Sequence, residues 1–426
     1  MSATATPLEQ PVTDGGIASV NFFNGRLLTG EDLSREQRAA REGARRLGRA
    51  LGSGVAFGLE VSEASGVSAK GRPVLRVEPG LAVNAEGAAL ELPDRTDVLL
   101  VRETAPGTAA PTELFADCVD PDPGGYAAGF GVYVLTIGPA ERGQGRAPTS
   151  GLGSVGTSCD TNVFVEGVTF RLVRVKIGSG EVSKPSLLRS HVAARAFGVG
   201  STERTVFDGN PFGPQPARYG LVDELRNGCL TPAEVPLCAL AWTAAAGIEF
   251  VDLWSVRRRI VAPPADTRWP LLAGDRVRAE AEAMFLQFQA HAVELSSALG
   301  NANELAASDR FEYLPPVGMI PIVGAGPNRG FNAGTFFGRQ ASTRAEMTDA
   351  GVLRALVAEG SYHDPIRVGG SERVQLYLLW ENVEAIRAGD STQLALVFAK
   401  QTIPFHGIAR FGDAAWELSR FAPTVL

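Results

Sequence analysis

The chain reads as a mixed α+β protein rich in β-structure, and three observations predict it. Glycine (49) and proline (27) are abundant in a chain of 426 residues, which marks many turns and long connections. Several stretches alternate apolar and polar residues with a period of two, the signature of half-buried strands. Two other stretches repeat apolar positions every three or four residues, as one face of a long helix does. The expected order is an arm (1–19), a docking segment with a helix (20–52), a β-meander or sandwich domain (53–180), a mixed region (181–310) and a C-terminal β-sandwich-like domain (311–426).

Residues 1–19 hold Ala, Thr, Pro and Gly with little to bury, and read as a flexible arm. From Thr29 a helix begins, because Thr29 and Asp32 have capping-box spacing. Glu31 and Asp32 in the first turn, and Arg45, Arg46 and Arg49 near the end, suit the helix dipole. Leu33, Ala40, Ala44, Leu47 and Leu51 form its apolar stripe. That stripe is thin. Burying three leucines stabilises by roughly 5–9 kcal/mol, whereas ordering some twenty residues costs about 1–2 kcal/mol each in backbone entropy. Gly43 and Gly48 weaken the helix further, by about 1 kcal/mol each relative to Ala. The helix therefore needs a surface to lie on, either its own domain or a neighbouring subunit. Small residues (Ala40, Gly43, Ala44, Gly48) would admit a close backbone.

After Gly52-Ser53-Gly54 the period switches to two. "VAFGLEV", "PVLRVEPGLAVNAEGAALEL" and "DVLLV", broken by Pro-Gly, Asn-Ala-Glu-Gly and Pro-Asp, predict a meander. A loop-rich insert ("PDPGGYAAGFG", then "GQGRAPTSGLGSVG") encloses the strand "VYVLTI", and "FVEGVTFRLVRVKI" is a further strand. Next come a short helix with Pro185 near its start and a hairpin from "VPLCALAW" and "GIEFVDLW". The second long helix, 275–300, carries Val277, Ala281, Met284, Phe288, Ala292, Leu295 and Ala298 or Leu299 as a face for packing within one subunit. Beyond "YLPPVGMIP", "VQLYLLWENVEAI" and "TQLALVFAKQTI" read as adjacent strands, with a short helix at "EMTDAGVLRALVAE".

Composition narrows the function. A net charge of −7 and a pI near 5.4 argue against a nucleic-acid binder. The N-terminus lacks the basic start and apolar run of a signal peptide, and no stretch approaches the roughly 20 apolar residues of a membrane helix. The expectation is a soluble chain made in the cytoplasm. Cys118, Cys159, Cys229 and Cys238 lack Cys-x-x-Cys or zinc spacing and read as buried free thiols.

No catalytic constellation emerges. His191, His291, His363 and His406 have no metal-ligand spacing, and His363 beside Asp364 has the look of a turn. Ser154 lies in "GLGSVG", which is not a nucleophile elbow, and "GAGPNRG" has the wrong glycine spacing for a dinucleotide. No catalytic residue, metal ligand or cofactor is expected.

The opening "VNFFNGRLLTGEDLSREQ", the arginine-rich helix, and "GVAFGLEV" leading to "VEPGLAVNAEGAALEL" together resemble a known family. They are similar to baseplate- or tail-associated structural proteins of phage-tail-like contractile injection systems. The likeness is clearest over residues 20 to 100. Such proteins often carry a "GW-G" turn before the "GLEV" strand, where this chain has "GSGVAFGLEV". The resemblance implies a component of a symmetric particle whose partners are other tail or baseplate proteins. Phe22, Phe23, Arg26 and Leu27, with the stripe Leu33, Ala40, Ala44, Leu47 and Leu51, are the candidate interface. A receptor- or glycan-binding tip protein, using Trp380, Tyr377 and Phe331 of the C-terminal domain, is the alternative, and a particle-borne cell-wall hydrolase a further one.

Overall fold

A computed structural model describes residues 8–64, 73–100, 131–148, 159–178, 181–200, 219–243, 247–261, 275–322, 330–389 and 394–403. It is a mixed α+β structure with several sheets. Helix α1 (Gly30–Leu51) follows the arm. Two three-stranded antiparallel sheets come next: β1 (Gly54–Gly58), β4 (Gly80–Val83) and β5 (Ala89–Leu92) in one, and β2 (Val61–Glu63), β3 (Val74–Val77) and β6 (Thr96–Leu99) in the other.

The central sheet contains β7 (Gly131–Pro148), β8 (Cys159–Val175), β9 (Val235–Thr243) and β10 (Gly247–Asp252), in the order β10-β9-β7-β8. Its alternation builds two cores. Tyr133, Leu135 and Ile137 face one way, toward Val55, Leu59, Leu75 and Leu90 of the small sheets. Val132 and Val134 face the other way, onto α2 (Leu188–Ala196) and α3 (Leu221–Arg226), where Val192, Ala196, Leu221 and Leu225 are buried.

Helix α4 (Asp275–Ala298) leads into the C-terminal sheet. This sheet has the order β12-β16-β15-β13, from β12 (Val317–Ile322), β13 (Ala341–Thr348), β15 (Val374–Leu379) and β16 (Leu394–Lys400). A separate pair joins β11 (Tyr313–Leu314) to β14 (Ile366–Arg367). The remaining helices are α5 (Ala333–Phe337), α6 (Ala350–Gly360) and α7 (Trp380–Ala388).

Several expectations need correction here. Strands from both sides of residue 180 share the central sheet, so the expected break there falls inside a hydrogen-bonded layer. Likewise α4, placed before the break at 310, buries Phe288, Ala292 and Leu295 on the C-terminal sheet. That sheet is no β-sandwich: α4 covers Leu396 and Phe398 on one face, and α6 covers Val397 and Ala399 on the other. Strands β13 and β15 run parallel, a pairing that requires the crossover α6 supplies. "WENVEAI" continues as helix α7, ended by Gly389 in the left-handed conformation. Residues 143–148, expected in a loop, extend β7. Finally, Cys238 is free and buried as expected, but Cys229 is disulfide-bonded; spacing along the chain does not measure distance in the fold.

Candidate docking surface

Helix α1 starts as its sequence dictates. Thr29 is the N-cap, its hydroxyl accepts from the Asp32 amide, and the Asp32 carboxylate accepts from the Thr29 amide. Those bonds, led by the one from the Thr29 backbone, hold the Asp32 carboxyl below its ordinary range. The flank it presents to solvent is the unusual part. The only buried residue among its 22 is Gly48. Leu33, Ala40, Ala44, Leu47 and Leu51 are all exposed, Leu47 by 70%. Phe22, Phe23 and Leu27 are exposed too, Leu27 by 90%. Of the nineteen large apolar side chains exposed among the described residues, eleven lie between Leu8 and Phe57.

Polar and backbone contacts hold this helix to its own chain. The arm runs back along it: Arg46 donates to the Gly15 carbonyl (2.9 Å), and the Val20 amide donates to Glu36 (3.1 Å). Arg26 donates to Asp32 (2.7 Å) and to the Asn21 carbonyl (2.8 Å), with its guanidinium 5.9 Å from the Phe23 ring centre. Arg26 thus organises the arm from inside and is not a free anchor. The far end of α1 sits on the turn between β4 and β5, where a Cβ on Gly48 would lie 2.1 Å from the Gly87 carbonyl oxygen. Arg49 donates to Glu86 O (3.3 Å) on that turn and to Glu42 (2.7 Å), whose carboxyl is lowered chiefly by that bond. Midway, Arg41 reaches Glu141 (3.5 Å) and Glu166 (3.3 Å), which face each other across β7 and β8. Opposed carboxylates repel, so one guanidinium between them clips the helix to these strands.

The other concentration of charge is internal. Arg189 donates to Asp252 (2.9 Å) and also pairs with Glu294. Asp252 further accepts from Gln287 (2.8 Å) and from the Ser255 amide (2.8 Å). Beside them the His291 ring packs at a tilt against Phe311, ring centres 4.7 Å apart, and its Nδ1 has no hydrogen-bond partner among the described residues. Burial first, then the Arg189 charge, pushes its pKa down to about 3. This layer fastens α2 and α4 to the central sheet. The sequence reading missed it because Glu280, Gln287, His291 and Ser296 interrupt the apolar face of α4 yet are buried with Met284, Phe288, Ala292 and Leu295.

Other candidate residues fall apart or lie inside. His363, in the turn after α6, pairs with Glu359 (3.6 Å) of that helix's last turn. His191 pairs with Glu312 (3.0 Å), which raises its pKa. Phe331 and Tyr377 are buried in the C-terminal cores, and of the proposed aromatic platform only Trp380 is exposed. Ser154, His406, Cys118, residues 1–7 and most of "GAGPNRG" lie outside the described residues. Among the described residues no group of three or more His, Cys, Asp or Glu side chains is gathered as for a metal ion, and no helix is long and apolar enough to cross a membrane. No protein-family model matches the chain, and no curated protein matches it.

Proposed function

We propose that this protein is a non-enzymatic structural subunit of a contractile injection system or phage-tail-like particle, at the baseplate or tail end. It binds other tail proteins through residues 1–51. One observation carries the reading: a helix of 22 residues buries no apolar side chain in its own chain. Helices in folded proteins take most of their stability from packing an apolar face. A partner surface would supply that packing here. The resemblance of residues 20–100 to baseplate- and tail-associated proteins supports the kind of partner.

Magnitudes decide how much of the front must engage. Covering Leu33, Leu47 and Leu51 gains roughly 5–9 kcal/mol, and association itself costs an estimated 4–15 kcal/mol. The stripe alone falls short of firm docking. Phe22, Phe23, Leu27 and Leu28, exposed beside it, must contribute as well. Arm and helix therefore act together. Deleting residues 1–28, or replacing Leu33 and Leu47 with Asp, is expected to leave a folded chain that no longer joins particles purified from the producing cell. Normal incorporation of both variants would end the docking proposal.

A further inference from the structure

The spacing of the exposed stripe on α1 selects what can cover it. Leu33, Gln37, Ala40, Ala44, Leu47 and Leu51 follow one another at intervals of four, three, four, three and four residues, and all six are exposed. That alternation is the a and d pattern of a heptad. At ~100° per residue the six positions cover about 80° of the helix surface. A helix that lies on a sheet or a broad core presents a wider stripe, ~100° or more, with apolar residues at e or g as well.

Here the flanking positions are occupied within the chain. On one side Glu36 accepts from the Val20 amide of the arm. On the other, Arg41 reaches Glu141 and Glu166, and Gly48 rests on Gly87. Those two carboxylates face each other where β7 and β8 run on as a two-stranded ribbon, past Ile137, the last residue of β7 that β9 accompanies. The arm takes one flank of the seam, and the ribbon with the β4–β5 turn takes the other. What is left is a narrow track, suited to one helix and too narrow for a sheet.

Charge describes that helix further. The rim of the seam holds three carboxylates, Glu36, Glu141 and Glu166, against the single guanidinium of Arg41. Residues at e and g set partner choice in a coiled coil by pairing with opposite charge. Ala40 and Ala44, at the middle of the track, leave room for large apolar side chains from the facing helix.

We propose that α1 takes a single amphipathic helix of a partner protein, packed knobs-into-holes along this seam, with basic residues flanking the partner's own apolar positions. The proposal rests on the docking reading above and names the form of the partner at that site.

The test titrates the full chain into a labelled synthetic peptide of three heptads, with Leu at a and d and Lys at e and g. Like charges at e and g keep the peptide from pairing with itself. Fluorescence anisotropy is expected to show saturable binding at or below roughly 100 µM, with a gain of helical circular dichroism. The same peptide with Glu at e and g should bind at least about fivefold more weakly. Leu47→Asp should weaken binding at least about tenfold, and Gln37→Leu should strengthen it about tenfold by completing the seam. Arg38→Leu adds the same side chain off the seam and should change binding less than about twofold. No binding of the lysine-flanked peptide, equal binding of both peptides, or no gain from Gln37→Leu would overturn the proposal. So would a dimer of the chain alone that Leu47→Asp dissolves, since a second copy would then hold the track. If the peptide fails to bind while Leu33→Asp and Leu47→Asp still exclude the chain from particles, the helical partner is refuted and the docking reading stands. If the peptide binds but those variants enter particles normally, the docking reading ends and the helix-binding seam remains.

Discussion

Two glycines of α1, five residues apart, should respond to alanine with opposite signs. Glycine in a helix costs about 1 kcal/mol relative to alanine, so each Gly→Ala change stabilises an isolated helix by that amount. At Gly43 nothing lies within 4 Å of an added Cβ, and the gain should appear in full. At Gly48 the Cβ would stand 2.1 Å from Gly87 O and 2.8 Å from its Cα, both backbone atoms. Relief to an ordinary contact near 3.4 Å means lifting the helix by roughly 1.3 Å. The turn beneath cannot yield instead. Asn84 is fully buried, accepts from the Glu86 and Ala88 amides, and donates to Ala233 O at 3.0 Å. Gly87 is itself at φ 81 and would place a Cβ 2.0 Å from Arg45 O. Overpacking of this kind costs about 1–3 kcal/mol, which cancels or exceeds the gain in propensity. Trypsin offers a direct assay, since Arg38, Arg41, Arg45 and Arg46 are cleavage sites within α1. Where opening is fast, cleavage follows the population of the open helix. Gly43→Ala should slow it about fivefold, the factor for 1 kcal/mol. Gly48→Ala should leave it unchanged or faster. If Gly48→Ala protects as well as Gly43→Ala does, the helix does not sit on this turn and the account of its seating is wrong.

The buried charges make two further predictions. Asp252→Ala removes the fully buried partner of Arg189, leaving its guanidinium only the more exposed Glu294, and should cost roughly 2–4 kcal/mol in urea unfolding, with much of the loss recovered when Arg189→Met is added; a single-variant loss under about 1 kcal/mol would contradict the layer's role. His291 stays neutral in the native state down to about pH 3, whereas unfolded histidine takes a proton near 6.5, so the unfolded state binds more protons across that window and stability must fall as pH drops through it. Between pH 6.5 and 5 this group alone removes about 2 kcal/mol, at 1.36 kcal/mol per unit, and His291→Leu should flatten the measured pH slope by that much. An unaltered slope would show that Arg189, Arg310 and burial do not hold the imidazole neutral.

What the sequence revealed was whatever is decided locally. The Thr29 cap, the α1 stripe, the β9–β10 hairpin and the short helix α6 all depend on residues within a turn or a strand of one another. What it concealed depends on distant partners. "GQGRAP" has loop composition, yet it is strand because "CDTNVF" lies opposite it. Glu280 and Gln287 on α4 read as solvent-facing until Tyr219, Arg276, Asp252 and Tyr313 are brought against them. Arg26 had the composition of an interface anchor, but its fork was already engaged by Asp32 and Asn21.

The contacts that seat α1 differ in kind from those it offers. Its hold on the chain consists of a glycine-to-glycine backbone contact, the clip from Arg41 to Glu141 and Glu166, and the arginine bonds to the Gly15 and Glu86 carbonyls. Exposed ion pairs of this sort contribute about 0–1 kcal/mol each, and salt screens them. None uses a leucine or a phenylalanine. The helix is therefore positioned without consuming its exposed leucines. A helix anchored by its own leucines would be firmer and would have nothing left to dock with. Arg41 also fixes where that surface stands, because the strands it grips are the ones that run out as the exposed ribbon.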